Sequence, residues 1–290
     1  MKNKSNSKIT VKIFKIISIA LSLCCAVCFF LCFLLFFDGD IGYFEKSPFV
    51  TVSNLLLLIS AAFSVICPFF ISKDVKTADN DRKNRKLTVS AVAAVLYMIY
   101  VLFEIYVIIM NGFSVIRLLL TVFAFFSFLY HYVIFTGTKI GETSFVLLGI
   151  SQIAWCTLTI AYSYFDYTVE LNSPAKLLLQ FACVIIMLFT TGEMRLVLGK
   201  PRPRMYLAFS SCALSVLLSA GAGSLAAALH PEYMTTNGLR IYENIIYSLI
   251  FIAMYIYILT RLIHFDSASK KISAPDFRAS SDDTTENNRV

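Results

Sequence analysis

"SSCALSVLLSAGAGSLAAALH", Ser210 to His230, is long and apolar enough to cross a bilayer, yet it is built mostly from small residues. Within it Ser211, Ser215, Ser219, Gly223 and Ala227 recur every four residues. Residues at that spacing share one face of a helix, and a face of small side chains lets a neighbouring backbone approach closely. The stretch therefore reads as a membrane span packed along a small-xxx-small seam, at the centre of a helical bundle or at a dimer interface. A hydrophilic path would call for a carboxylate, an amide or an aromatic hydroxyl, and none occurs between Ser210 and Leu229.

The rest of the chain has the same apolar character. It is 58% hydrophobic and 15% charged over 290 residues, with a mean hydropathy of +0.74. Its apolar residues come in unbroken runs, as a hydrocarbon core about 30 Å thick requires of a spanning helix. The predicted spans are Ile16 to Phe37, Phe49 to Ser72, Leu87 to Met110, Val115 to Phe135, Phe145 to Phe165, Pro174 to Leu198, Met205 to Leu229 and Ile241 to Thr260. The connections are too short to hold a soluble domain. The expected fold is thus all-α, a polytopic integral membrane protein with a bundle of eight transmembrane helices. Residues 1–15 form a basic N-terminal segment, 16–260 the membrane domain, and 261–290 a polar tail ending "ASSDDTTENNRV" that is expected to be disordered.

Charge sets the expected orientation. With the N-terminus in the cytoplasm, only Lys46, Arg117, Lys176 and Arg240 fall outside, and the other 21 of the 25 Lys and Arg residues face inward. By the positive-inside rule both termini are cytoplasmic. The net charge of +7 then reflects topology and anionic lipid rather than nucleic acid, which is not an expected partner. Membrane lipid is the expected partner, with a second membrane protein or a further copy of the chain as the other candidates. The expected location is the cell membrane, read as a bacterial plasma membrane. The first apolar run is too long for a cleaved signal peptide and lacks an A-x-A site, so it reads as a retained anchor.

All eight cysteines fall in predicted spans, where they act as small apolar residues; "CCAVC" at Cys24 to Cys28 has no histidine in its helix to complete a metal site. No metal or cofactor is expected. Ser173 and Pro174 read as N-cap and first helical residue of the sixth span, with Gly199 as its stop. Pro68 is expected to kink the second span.

Ionisable and amide side chains inside spans are the candidate functional residues, because each charged one costs roughly 2.5–3.5 kcal/mol to insert. Glu104 lies about 9 Å below the outer end of the third span at 1.5 Å per residue. Arg117 lies at similar depth across the "NGFS" hairpin, and the two are expected to pair. Tyr97, Tyr100, Glu104 and Asn111 share a face of the third span. Arg117, Thr121, Ala124 and His131 share one of the fourth, and Gln152, Cys156, Thr159 and Ser163 one of the fifth. Asn54, Gln180, Glu243 and Asn244 add polarity near the outer ends, the last two so close to water that they read as interfacial.

Two readings follow. In one, Glu104, Arg117, Tyr97, Tyr100, Gln152 and Gln180 line a cavity that binds a solute or ion; in the other, they satisfy one another between helices. His131 at the inner end of the fourth span is placed near Glu193 and Arg195, either as a proton relay or as a solvated cluster. No H-E-x-x-H, G-x-S-x-G or Walker loop occurs. "DGD" at Asp38 to Asp40 is the one pair of carboxylates suited to a divalent cation, as in a lipid-linked sugar transferase, although Asp-Gly pairs are also ordinary turns. The expected activity is transport of a small polar solute or ion. The alternatives are a non-catalytic component that binds a partner protein or lipid and, less favoured, the transferase.

Overall fold

The computed structural model describes residues 2–38, 42–71, 87–138, 140–165, 173–200, 202–230 and 240–265. Among these the chain is nearly all helical: α1 (Lys2–Leu35), α2 (Pro48–Phe70), α3 (Val89–Asn111), α4 (Val115–Thr136), α5 (Glu142–Tyr164), α6 (Pro174–Val197), α7 (Pro203–Ala227) and α8 (Arg240–His264). All eight are long and apolar enough to cross a membrane. We call the end of the bundle where α1 begins and α8 finishes the terminal face. The Lys15 ammonium joins these two helices there by donating to the Ile263 carbonyl at 3.3 Å.

Sequence punctuation sets most helix ends. Ser173 accepts a hydrogen bond from the Lys176 N–H at 3.4 Å with Pro174 at the first helical position, and Gly199 at φ +65° ends α6. Pro68 lies in the last turn of α2, near the end of that helix as the sequence placed it. The Ile71 carbonyl just beyond accepts from Arg204 Nε at 2.9 Å and Nη2 at 2.6 Å, which fastens α2 to the start of α7.

Three departures from the sequence reading have physical causes. The loop after α1 forms a two-stranded hairpin, β1 (Phe37–Asp38) and β2 (Tyr43–Phe44), with Phe37 opposite Phe44 and Gly42 at φ +76° in the turn. Phe33 holds it through ring contacts at 5.0 Å to Phe37 and 4.7 Å to Phe44. Of the "DGD" carboxylates, Asp38 is in this hairpin, while Asp40 lies outside the described residues. The last helix passes the expected boundary at Thr260 and runs to His264, because Arg261 is paired inside the protein. Helix also extends back from the first span to Lys2. The tail from residue 266 lies outside the described residues.

Six helices close a ring: α3 packs on α4, α4 on α5, α5 on α6, α6 on α7, α7 on α8, and α8 returns to α3. Helices α1 and α2 pack on each other and on the flank of α7. The helix of small residues is therefore the hub, with 72% of its apolar window buried against 17% for α2. Its seam faces α1 and α2. Ser211 donates to Ser18 at 2.7 Å and pairs with Ser64 at 2.8 Å, while Ser215 pairs with Ser60 at 2.5 Å. A Cβ on Gly223 would stand 2.7 Å from the Phe33 ring, and one on Gly221 would stand 2.7 Å from Ile252, so glycine admits α1 on one side and α8 on the other. Ala227 is buried on the same face, and Ser219 is buried with its hydroxyl unpartnered. The inward stripe of α2 is Ser53, Ser60, Ser64 and Pro68; Asn54, expected to add polarity near the outer end of its span, is exposed.

Candidate functional site

Away from the terminal face, one guanidinium joins four ring helices. Arg117 on α4 donates from Nη1 to Glu104 Oε2 on α3 at 3.0 Å. Its Nη2 lies 3.6 Å from Glu243 Oε2 on α8 and donates to the Tyr162 hydroxyl on α5. The guanidinium also sits 5.1 Å from the Tyr162 ring centroid, within cation–π range. Tyr247 donates to Glu243 Oε1 at 3.3 Å, which uses its single proton, so at 2.9 Å from Tyr100 it is the acceptor. Glu104 has no solvent exposure.

The expected Glu104–Arg117 pair is present, and Tyr100 joins the same group. Glu243 is buried and ion-paired, where the sequence suggested an interfacial residue. Asn244 is half-buried and Asn111 exposed. Gln180 is outside this group, donating to Ser163 at 3.3 Å one residue beyond Tyr162.

A second arginine cluster lies near the terminal face. Arg261 on α8 contacts Glu193 on α6 at 3.3 Å, and Tyr206 on α7 donates to the other oxygen of the same carboxylate. Arg261 Nε also donates to the Tyr257 hydroxyl at 3.2 Å. Along α8 the two clusters are centred on Glu243 and Arg261, about 27 Å apart at 1.5 Å per residue. That separation approaches the thickness of a hydrocarbon core, about 30 Å.

His131 does not pair directly with Glu193. It is fully buried, and the Tyr257 ring stands edge-on to it at 5.4 Å, between it and the Arg261 cluster. Ser90 donates to the His131 carbonyl at 3.1 Å, and its oxygen lies 3.1 Å from Nδ1. With that hydroxyl proton committed, a neutral imidazole donates from Nδ1 and leaves Nε2 as an acceptor. Arg195, expected beside His131, has its Nε buried with no hydrogen-bond partner.

Between the two clusters the ring is filled by aromatic side chains. Tyr97 stacks on His131 at 5.5 Å and meets Trp155 edge-on at 5.0 Å; Trp155 in turn meets Tyr100 at 5.6 Å. Gln152, nearly one turn from Trp155 on α5, directs its amide nitrogen toward the Met254 sulfur at 3.9 Å. Here His131 Nε2 and Trp155 Nε1 are buried without a hydrogen-bond partner, while the Tyr97 hydroxyl faces Gln152, the Tyr130 hydroxyl faces Tyr257 and the Glu104 carboxylate faces Tyr100. The two unpartnered atoms lie on neighbouring helices, α4 and α5, and leaving a buried polar group unpaired costs about 1–3 kcal/mol.

The sequence reading missed Trp155, Tyr162, Tyr257 and Arg261. A signal for Arg261 was present, because Glu243, Tyr247, Ile250, Met254, Tyr257 and Arg261 alternate at spacings of four and three along one buried face of α8. Tyr162 carried none, since it lies beside Ser163 rather than on the face read for that span. Comparison of the chain with protein-family models, with characterised proteins and with solved structures finds no match.

Proposed function

We propose that this protein is a permease for a small polar solute or ion, and that its cargo passes through the ring of α3 to α8. The observation that carries this reading is the pair of arginine-centred clusters near opposite ends of the ring, with the buried, unpartnered His131 Nε2 and Trp155 Nε1 between them. Each cluster is a latch. Arg117 ties α3, α4, α5 and α8 together at one end, and Arg261 ties α6 and α8 at the other, with α7 joined through Tyr206 and Glu193. With both latches shut, the interior is occluded. Opening one at a time exposes it to one side and then the other, which is how a fixed site alternates its access. We assign the terminal face to the cytoplasm because the sequence count puts 21 of the 25 Lys and Arg residues inside when the N-terminus is cytoplasmic, and we propose a plasma membrane as the compartment.

Purified protein in liposomes tests the reading through swelling in iso-osmotic urea, glycerol or sodium chloride, compared with protein-free vesicles. At least one of the three should enter faster with protein present. Glu104→Gln removes a charge that closes one latch, and flux should fall about tenfold, the effect of a modest shift between states. Folded yield should remain unchanged. Failure of all three probes to enter, or full flux through Glu104→Gln, contradicts the assignment.

A further inference from the structure

We infer that the aromatic interior around Trp155 is the cargo site, and that it takes an uncharged, hydrogen-bonding molecule rather than an ion. This rests on the permease reading and names its substrate class. Three observations carry it. First, the unpartnered atoms form a mixed set: Trp155 Nε1 only donates, and His131 Nε2, with Nδ1 carrying the proton beside Ser90, accepts. A guest that carries both donors and acceptors, such as an amide or a urea, matches that set.

Second, the paired formal charges lie at the ends. Arg117 is taken up by Glu104 and Glu243, and Arg261 by Glu193. The groups facing His131 are Tyr97 from α3, Tyr130 from its own helix and Tyr257 from α8, with the Arg261–Glu193 pair behind Tyr257. A cation or anion at the level of Trp155 would give up its hydration without meeting an opposite charge, a cost that side-chain dipoles do not repay. Third, the neighbouring walls are flat. Tyr97 and His131 lie nearly parallel, 12° apart, and Trp155 stands edge-on to Tyr97, which favours a small guest with a planar polar group.

Trp155 is the only tryptophan in the chain, so its fluorescence reports this site without labelling. The test uses matched probes on wild-type protein in liposomes: urea against guanidinium, which has the same shape with one positive charge, and acetamide as a second neutral amide. Urea and acetamide should enter several-fold faster than into protein-free vesicles, guanidinium should not, and acetamide should shift Trp155 emission saturably. Gln152→Leu should lose both the flux and the shift. Guanidinium entering as fast as urea overturns the inference and leaves the permease reading standing. Sodium entering while urea and acetamide neither enter nor perturb Trp155 has the same consequence. If no probe enters, both fall.

Discussion

The interface of α7 with α1 and α2 and the interior of the α3–α8 ring are both buried and both rich in polar side chains, but they treat those side chains differently. At the first, Ser18, Ser60, Ser64, Ser211 and Ser215 pair with one another across three helices, and glycine lets the Phe33 ring lie against the backbone. Ser219 alone in the seam keeps an unpartnered hydroxyl. In the ring interior, by contrast, an indole nitrogen and an imidazole nitrogen are left without partners between two arginine clusters. Pairing is what polar groups do when they only hold helices together. Its absence at Trp155 and His131, beside a seam where the same chain achieves it, supports the proposal that the interior is a site and the seam a packing surface.

Four substitutions separate the two regions, and the largest effect belongs to the Arg117 cluster. Arg117→Ala would leave Glu104 and Glu243 without their cation, and stability should drop by about 3–5 kcal/mol, seen as a large fall in melting temperature in detergent. Next is the seam. Gly223→Leu would drive a side chain into Phe33 and should cost about 1–3 kcal/mol in the same assay while leaving the arginine clusters unchanged. A smaller effect is expected of Tyr97→Phe, which deletes the hydroxyl that faces Gln152. Stability should stay within about 1 kcal/mol of wild type or rise, and urea flux should fall. The smallest change is Ser64→Ala, which removes one interhelical hydrogen bond of about 0.6 kcal/mol and should leave flux unaltered.

The helices were legible because apolar run length is a local property, and the seam because a period of four on one helix is visible without knowing its neighbour. Glu104 and Arg117 were legible as a pair since a short hairpin sets them side by side. Glu243 was misplaced because depth counted along its own helix says nothing of an arginine arriving from α4. Trp155 was passed over because an aromatic residue in an apolar run looks the same whether it faces lipid or a ring interior. Arg261 was assigned to the tail because a hydropathy boundary stops at the first charge, although the α8 periodicity continues through it. What the sequence could not supply was which helices surround which face, and that arrangement gathers scattered polar residues into two arginine clusters with an interior between them.

The central claim is that the ring interior is the functional site and the α7 seam is packing. The most direct measurement compares urea-driven swelling of liposomes carrying Gln152→Leu with liposomes carrying Ser215→Ala, each normalised to folded protein. Gln152→Leu should lose the flux and Ser215→Ala should keep it. Equal loss in both variants, or retention in Gln152→Leu with loss in Ser215→Ala, would contradict it.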